Sequence, residues 1–258
     1  MGKFNKIVMV ISMKNVSFLK KSIIAHRGYH NIKAGIPENS IPAFKKAIRH
    51  NCIIELDIHL TKDNKLVVFH DYNLKRVCGL NKIIEESTYK ELLKYNLFNT
   101  KHKIPLFEEV LRLVDGKVGL LIEIKNGKFN GKLESILSKY LDNYNGLFAI
   151  QSFNPVSILW FKRKKPNYIR GLLASDFKHD KNINNLKSNL SKSLLADVFF
   201  KTDFISYDIN AMPNSYVDKK KNKKLILGWT VKNKDEYEKY MKYCDNLICE
   251  NIDDLKAK

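Results

Sequence analysis

Three things are scarce in this sequence. Among its 258 residues there are four cysteines, Cys52, Cys78, Cys244 and Cys249, and no two of them form a CxxC pair. A disulfide framework is excluded, and the four read as small hydrophobes of a reducing compartment. Arginine is rare: of 46 basic residues six are arginine and forty are lysine, scattered along the chain beside 26 asparagines. Proteins that read bases or clamp phosphates bidentately lean on arginine's planar fork. No specific nucleic-acid partner is therefore expected, and the net charge of +19 leaves only simple electrostatic attraction to polyanions or an anionic membrane surface. Long apolar runs are also missing. The stretch Ile7-Val8-Met9-Val10-Ile11, flanked by Lys6 and Lys14, is shorter than the roughly 7–15 residues of a secretory core and the roughly 20 of a membrane span. A cytoplasmic protein is expected, with peripheral membrane contact left open, and residues 1–21 read as a tail or a short amphipathic segment.

What is present is ordinary globular material, 44% hydrophobic and 28% charged. It is too apolar for a disordered polycation and too short for two full enzymatic domains. Short β-branched runs at 22–25, 53–58, 118–124, 147–151, 169–173, 204–207, 225–229 and 246–249 alternate with helical patterns at 40–50, 106–114, 132–144, 155–164, 183–198, 215–221 and 234–243. Eight strands separated by helices demand parallel pairing through right-handed crossovers. The prediction is an α/β fold, a (β/α)8 TIM barrel over residues 22–258, with an open doubly wound sheet as the runner-up. One interval breaks the rhythm. After a strand-like 65–70, the polar residues 71–105 are too many for a barrel loop and read as a small insertion after the second strand, on the catalytic side. The basic run 219–224 reads as a solvated helix end.

Barrel enzymes place their chemistry at the carboxyl ends of strands. The first strand runs into His26-Arg27-Gly28. In the second, Ile53-Ile54-Glu55-Leu56-Asp57-Ile58-His59, alternation puts Glu55, Asp57 and His59 on one face and the apolar residues on the other. Two carboxylates about 7 Å apart along a strand, facing a confined interior, repel unless a cation neutralises them. A hard divalent ion answers that; the plainer alternative pairs them with lysine or arginine. His59 is either a further contact or packing at a loop junction. A strand-like run then delivers His70-Asp71, and Leu121-Ile122-Glu123-Ile124-Lys125 adds a third acid and a lysine on one face. Two histidines, Arg27, Lys125 and three acids suit phosphate ester chemistry, with cations on the phosphoryl charge and histidines as base and acid.

These residues carry a resemblance. His26-Arg27-Gly28, Pro37-Glu38-Asn39-Ser40 with Ala43-Phe44, Glu55-Leu56-Asp57, Thr61-Lys62-Asp63 and Val68-Phe69-His70-Asp71 resemble the glycerophosphodiester phosphodiesterases. Further matches are Thr88 with Glu91-Leu92, Ile104-Pro105-Leu106, Glu123-Ile124-Lys125, Gln151-Ser152-Phe153 and Trp229-Thr230-Val231. The resemblance implies a TIM-barrel hydrolase in which Glu55, Asp57 and Glu123 hold one divalent metal ion, Mg2+ or Ca2+. It makes His26 and His70 the acid–base pair, sets Arg27 and Lys125 on the phosphate, and places Trp229 beside the glycerol. The implied reaction is hydrolysis of a glycerophosphodiester to sn-glycerol 3-phosphate and an alcohol, the glycerol 2-hydroxyl attacking first to give a cyclic phosphate that water opens, while the sequence leaves direct attack of water open. Two alternatives accompany it: a relative acting on lysophospholipids or phospholipids at a membrane surface, and a non-enzymatic basic binder of anions or nucleic acid. The last strand departs from the family pattern. It ends Cys249-Glu250-Asn251-Ile252, where members often have Thr-Asp or Thr-Asn followed by proline, and any final helix is short.

Overall fold

The computed structural model describes residues 14–127, 129–176, 197 and 200–256. Among these residues nine strands form one sheet: β1 (Ile24–Ala25), β2 (Ile53–Leu60), β3 (Leu66–Val68), β4 (Leu120–Ile124), β5 (Phe148–Ser152), β6 (Ile169–Ala174), β7 (Phe204–Asp208), β8 (Leu225–Val231) and β9 (Asn246–Cys249). Eight are parallel. β1 pairs with β2 on one side and β9 on the other, so the sheet closes and the open doubly wound alternative is eliminated. Only β3 is antiparallel, a short spur on the far end of β2. All eight strands of the barrel coincide with the apolar runs of the sequence to within a few residues, because a strand buried on both faces must be apolar nearly throughout.

Period-two alternation sorts the side chains into two layers. Ile24, Ile53, Leu121, Ala149, Ile169, Phe204, Leu225, Leu227 and Ile248 fill the barrel's amino-terminal half from inside, and a 3-10 turn, Val16–Lys20, closes that end with buried Phe18 and Leu19. Gly171 makes the room: a Cβ there would lie 2.2 Å from the Phe204 ring. The opposite faces, with Ile54, Leu56, Ile58, Ile122, Ile150 and Ile205, pack against Phe44, Phe107, Val110, Leu137 and Phe161 of the surrounding helices. Those helices include Ile41–Arg49, Phe107–Val114, Lys132–Leu141, Pro155–Lys164, Ser215–Lys221, Lys234–Tyr240 and a short last one, Ile252–Lys256. The helical pattern at 183–198 lies outside the described residues apart from Asp197.

Between β3 and the helix Phe107–Val114 sit two single-turn helices, Lys75–Cys78 and Tyr89–Leu92, over their own small core of Val67, Phe69, Leu74, Val77, Ile84, Leu92, Leu97 and Ile104. Thr88 and Glu91 form a capping box there, which accounts for that pair in the sequence. The basic run at 219–224 is only partly solvated: Lys220 and Lys224 turn onto the buried carboxylate of Asp197. All four cysteines are free thiols, and burial pushes Cys244 and Cys249 up to about 12 and Cys78 to about 11. Among the described residues no helix is long and apolar enough to cross a membrane.

Candidate active site

Strand register assembles the acids. Asp57 of β2 lies beside Glu123 of β4, which lies beside Gln151 of β5, so the three point into the barrel at one level, and Glu55 is the preceding inward residue of β2. Glu55, Asp57 and Glu123 are all buried, with a carboxylate oxygen of each within 4.8 Å of the others. Gln151 Oε1 accepts the Ser206 hydroxyl at 2.7 Å, continuing the polar layer to β7.

The turn after β1 fits against this cluster. Arg27 stands at φ 53° and Gly28 at φ 80°. A Cβ on Gly28 would come within 2.9 Å of the Phe44 ring, so no larger residue follows Arg27 without displacement. The Arg27 backbone N–H donates to Glu55 Oε2 at 2.9 Å, and its guanidinium donates to Glu38 Oε1 at 2.7 Å, with Nε 3.7 Å from Asp57. Asn39, also left-handed at φ 49°, donates its amide to Asp57 Oδ2 at 2.8 Å. Asparagine tolerates that backbone, and Ser40 then caps the helix Ile41–Arg49.

The two histidines are held alike. His26 Nδ1 is 2.7 Å from Glu250 Oε1, and His70 Nδ1 is 2.6 Å from Asp71 Oδ1. A carboxylate at Nδ1 selects the Nδ1–H tautomer and leaves Nε2 with the free lone pair. His59 is fully buried, with Nε2 3.2 Å from the His70 carbonyl and its ring edge-on to Tyr72. It packs the loop that carries His70, and burial lowers it to about 4. Arg76, from the first short helix after β3, joins the two sides: it donates to both Glu38 oxygens at 2.7 and 2.9 Å and to Asp71 at 2.8 and 3.0 Å.

Burial and mutual repulsion dominate the electrostatics of the acids. Burial, reinforced by the charges of Asp57 and Glu123, lifts Glu55 well above the usual carboxylate range. Burial likewise lifts Glu123 despite its lysine neighbour. Asp57 feels the same burial, but Lys125, His70, Arg27 and the Asn39 amide outweigh it and hold Asp57 low. Lys125 Nζ stands 2.6 Å from Glu123 Oε1 and 3.2 Å from Asp57 Oδ1, yet neither oxygen has an aligned hydrogen-bond donor. Ion pairing with lysine, the plainer alternative, is thus present but leaves buried acceptors unmet. Three such oxygen donors fit a hard divalent cation.

His26, Arg27, Glu55, His70, Glu123, Lys125 and Trp229 line one narrow cavity of 80 Å3 at the carboxyl end of the barrel, and an Asp57 carboxylate oxygen lies within 4.8 Å of those of Glu55 and Glu123. Trp229 is partly buried, edge-on to Phe153 at 5.6 Å between centroids. A larger cavity of 460 Å3 lies elsewhere, outside the barrel by Arg112, Tyr140 and Tyr144, and gathers no comparable set. Sequence reasoning missed the supporting residues. Glu38, Asn39, Asp71 and Gln151 stood inside quoted motifs without a task, Glu250 stood where a strand end departed from pattern, and Arg76 could have been flagged as one of six arginines.

Comparison with known proteins gives the family and the fold. The model of the glycerophosphoryl diester phosphodiesterase family matches residues 26–252. A glycerophosphodiester phosphodiesterase of Caldanaerobacter subterraneus subsp. tengcongensis is 30% identical over 92% of this chain and 97% of its own. A human lysophospholipase D is 31% identical over 49% of this chain and 44% of its own. Among solved structures, an Oleispira antarctica phosphodiesterase in complex with the product sn-glycerol-3-phosphate superposes with a TM-score of 0.74 at 19% identity, covering 91% of this chain and 94% of that one.

Proposed function

This chain belongs to the glycerophosphoryl diester phosphodiesterase family, and we propose that it hydrolyses glycerophosphodiesters to sn-glycerol 3-phosphate and an alcohol. The observation that carries the reading is the meeting of His26 and His70, each with a carboxylate on Nδ1, in one cavity with Arg27, Lys125 and the three-carboxylate cluster. Glu55, Asp57 and Glu123 would hold one divalent ion, Mg2+ or Ca2+. When bound it supplies Lewis-acid stabilisation of phosphoryl charge.

Arg27 and Lys125 face the non-bridging phosphate oxygens and stabilise the charge that grows there. One histidine accepts the proton of the glycerol 2-hydroxyl as its oxygen bonds to phosphorus, and the other gives a proton to the alcohol oxygen as the old P–O bond breaks. Water then opens the cyclic phosphate, its proton going to the histidine now free, while the 2-oxygen regains a proton from the other. Each acid–base step contributes about 10²–10⁴-fold. Trp229, which lines the same cavity, offers an apolar face to the glycerol carbons.

The test is release of sn-glycerol 3-phosphate from glycerophosphocholine with and without chelator, beside His26→Ala and Glu55→Ala. Metal-dependent release lost in both variants is expected; release that persists in either refutes the assignment. A diester without a neighbouring hydroxyl addresses the cyclic route, since brisk turnover of it would remove that intermediate. A second reading, action on lysophospholipids at a membrane surface, is favoured by exposed Ile32, Tyr72, Ile83, Phe153 and Val156, which lie after β1, in the segment after β3, and after β5 as far as the first turn of the helix Pro155–Lys164. Exclusive turnover of lysolipid over soluble diesters would establish it instead.

A further inference from the structure

Because the barrel strands are parallel, the turns that feed them gather at the end opposite the catalytic cavity. Charge is unevenly shared around that end. The helix ends and turns leading into β6, β7, β8 and β9, which are neighbours in the sheet, carry Arg163, Lys164, Lys201, Lys223 and Lys242. All five are exposed, and none forms an ion pair among the described residues. The acids of this sector are already engaged, Asp203 by Lys14, Asp245 by Lys20, and Asp197 by Lys220 and Lys224. Across the same face, in the turns leading into β2, β4 and β5, Asp115 and Asp142 offset Arg49 and Lys117.

The chain enters the fold through the basic sector. Lys14, the first described residue, donates to the Tyr168 carbonyl ahead of β6 at 2.9 Å and to Asp203 ahead of β7 at 2.9 and 3.2 Å. The apolar run Ile7-Val8-Met9-Val10-Ile11 begins seven positions before Lys14, so all of it lies within about 25 Å of that anchor. Lys3 and Lys6 precede the run, and no acidic residue occurs in the chain before Glu38. A short apolar segment is thereby tethered to a face of unpaired cations.

We infer that this amino-terminal face docks on an anionic bilayer, the basic sector lying over the lipid phosphates and the run Ile7–Ile11 entering the interface, so that the catalytic cavity opens away from the membrane. A short apolar anchor alone binds marginally, and a basic patch beside it supplies the second attraction that stable docking requires. Lysine, a point charge without a fork, suits a diffuse field of phosphates better than base readout, and a nucleic-acid partner has no use for the apolar run. The inference does not draw on the reaction, but it gives the docked chain soluble diesters rather than bilayer lipids as its accessible substrates.

The experiment is co-sedimentation of the full chain with vesicles of phosphatidylcholine, alone or mixed with phosphatidylglycerol. Binding to the mixed vesicles only, weakening as salt rises, is expected. The triple variant Arg163→Gln, Lys164→Gln, Lys223→Gln should weaken it by about a hundredfold. A control triple, Lys90→Gln, Lys94→Gln, Lys103→Gln, removes equal charge from exposed lysines of the segment after β3 and should weaken it by less than about fivefold. Val8→Ser with Val10→Ser should weaken it by about tenfold. Glycerophosphocholine turnover by the vesicle-bound chain should stay within about twofold of that of the free chain.

Equal losses in the two triples would reduce the attraction to net charge, and a larger loss in the control would turn the catalytic end to the bilayer. Either result overturns the inference, as does retention by a random-sequence RNA duplex without binding to vesicles, or a fall in turnover on docking. Absence of turnover in both states would sink the hydrolase reading alone, because sedimentation reads the docking without it.

Discussion

His26 and Glu250 meet across the closure of the barrel: Nδ1 and Oε1 are 2.7 Å apart although 224 positions separate them in sequence. Burial opposes Glu250's charge, but hydrogen bonding and the charge of His26 prevail and hold it at about 2. Burial likewise opposes the imidazolium of His26 and wins, keeping it below its ordinary range, while Glu250 pulls the other way.

Glu250→Gln should therefore lower the His26 pKa further. Whichever limb of the pH–rate profile His26 governs, that limb moves to lower pH, and kcat falls by about tenfold or more as the tautomer is no longer fixed. A kcat profile over pH 4–9 checks this; an unmoved limb would mean that Glu250 does not act through His26. The same variant speaks to stability. A depressed carboxylate contributes stability above its ordinary value of 4.5 that is lost as pH falls through about 2. Acid unfolding of Glu250→Gln should accordingly be shallower over that window.

Addition of Mg2+ or Ca2+ should raise the melting temperature, because an ion bound by the folded state alone stabilises it by about 2.7 kcal/mol at a hundredfold excess over Kd. Glu123→Gln or Glu55→Gln should abolish most of the increment. Calorimetry of the three chains with and without ion tests the carboxylate site without recourse to turnover, and an increment that survives both substitutions would place the ion elsewhere.

Arg76→Lys keeps the charge and loses the fork that spans Glu38 and Asp71. The side chain is 44% exposed, so stability should change by no more than about 1 kcal/mol. Activity should fall more clearly, about three- to tenfold, since the partners of Arg27 and His70 both lose an anchor. Urea unfolding and kcat/KM measured together separate the two effects.

Gly28→Ala combines a positive φ with a contact of 2.9 Å to Phe44. A loss of about 1–3 kcal/mol is expected from overpacking alone, together with reduced turnover as the Arg27 turn shifts. A neutral substitution by both measures would contradict the close packing of that turn.

The sequence by itself determined the barrel and the inward acids. Strands buried on two faces must be written as apolar runs, and period two leaves Glu55, Asp57 and Glu123 facing inward without appeal to any distant residue. What only the tertiary structure decided was which groups those side chains meet. The closure of β9 on β1 brings Glu250 to His26, and the segment after β3 brings Arg76 to Glu38 and Tyr72 to the His59 ring. Such contacts cross long stretches of chain and hinge on rotamers and loop paths, and local patterning records neither. Lys125 shows the boundary well. Its shared face with Glu123 is legible in five residues, whereas its place between Glu123 and Asp57, leaving both short of a hydrogen-bond donor, exists only because two strands far apart in sequence align in register.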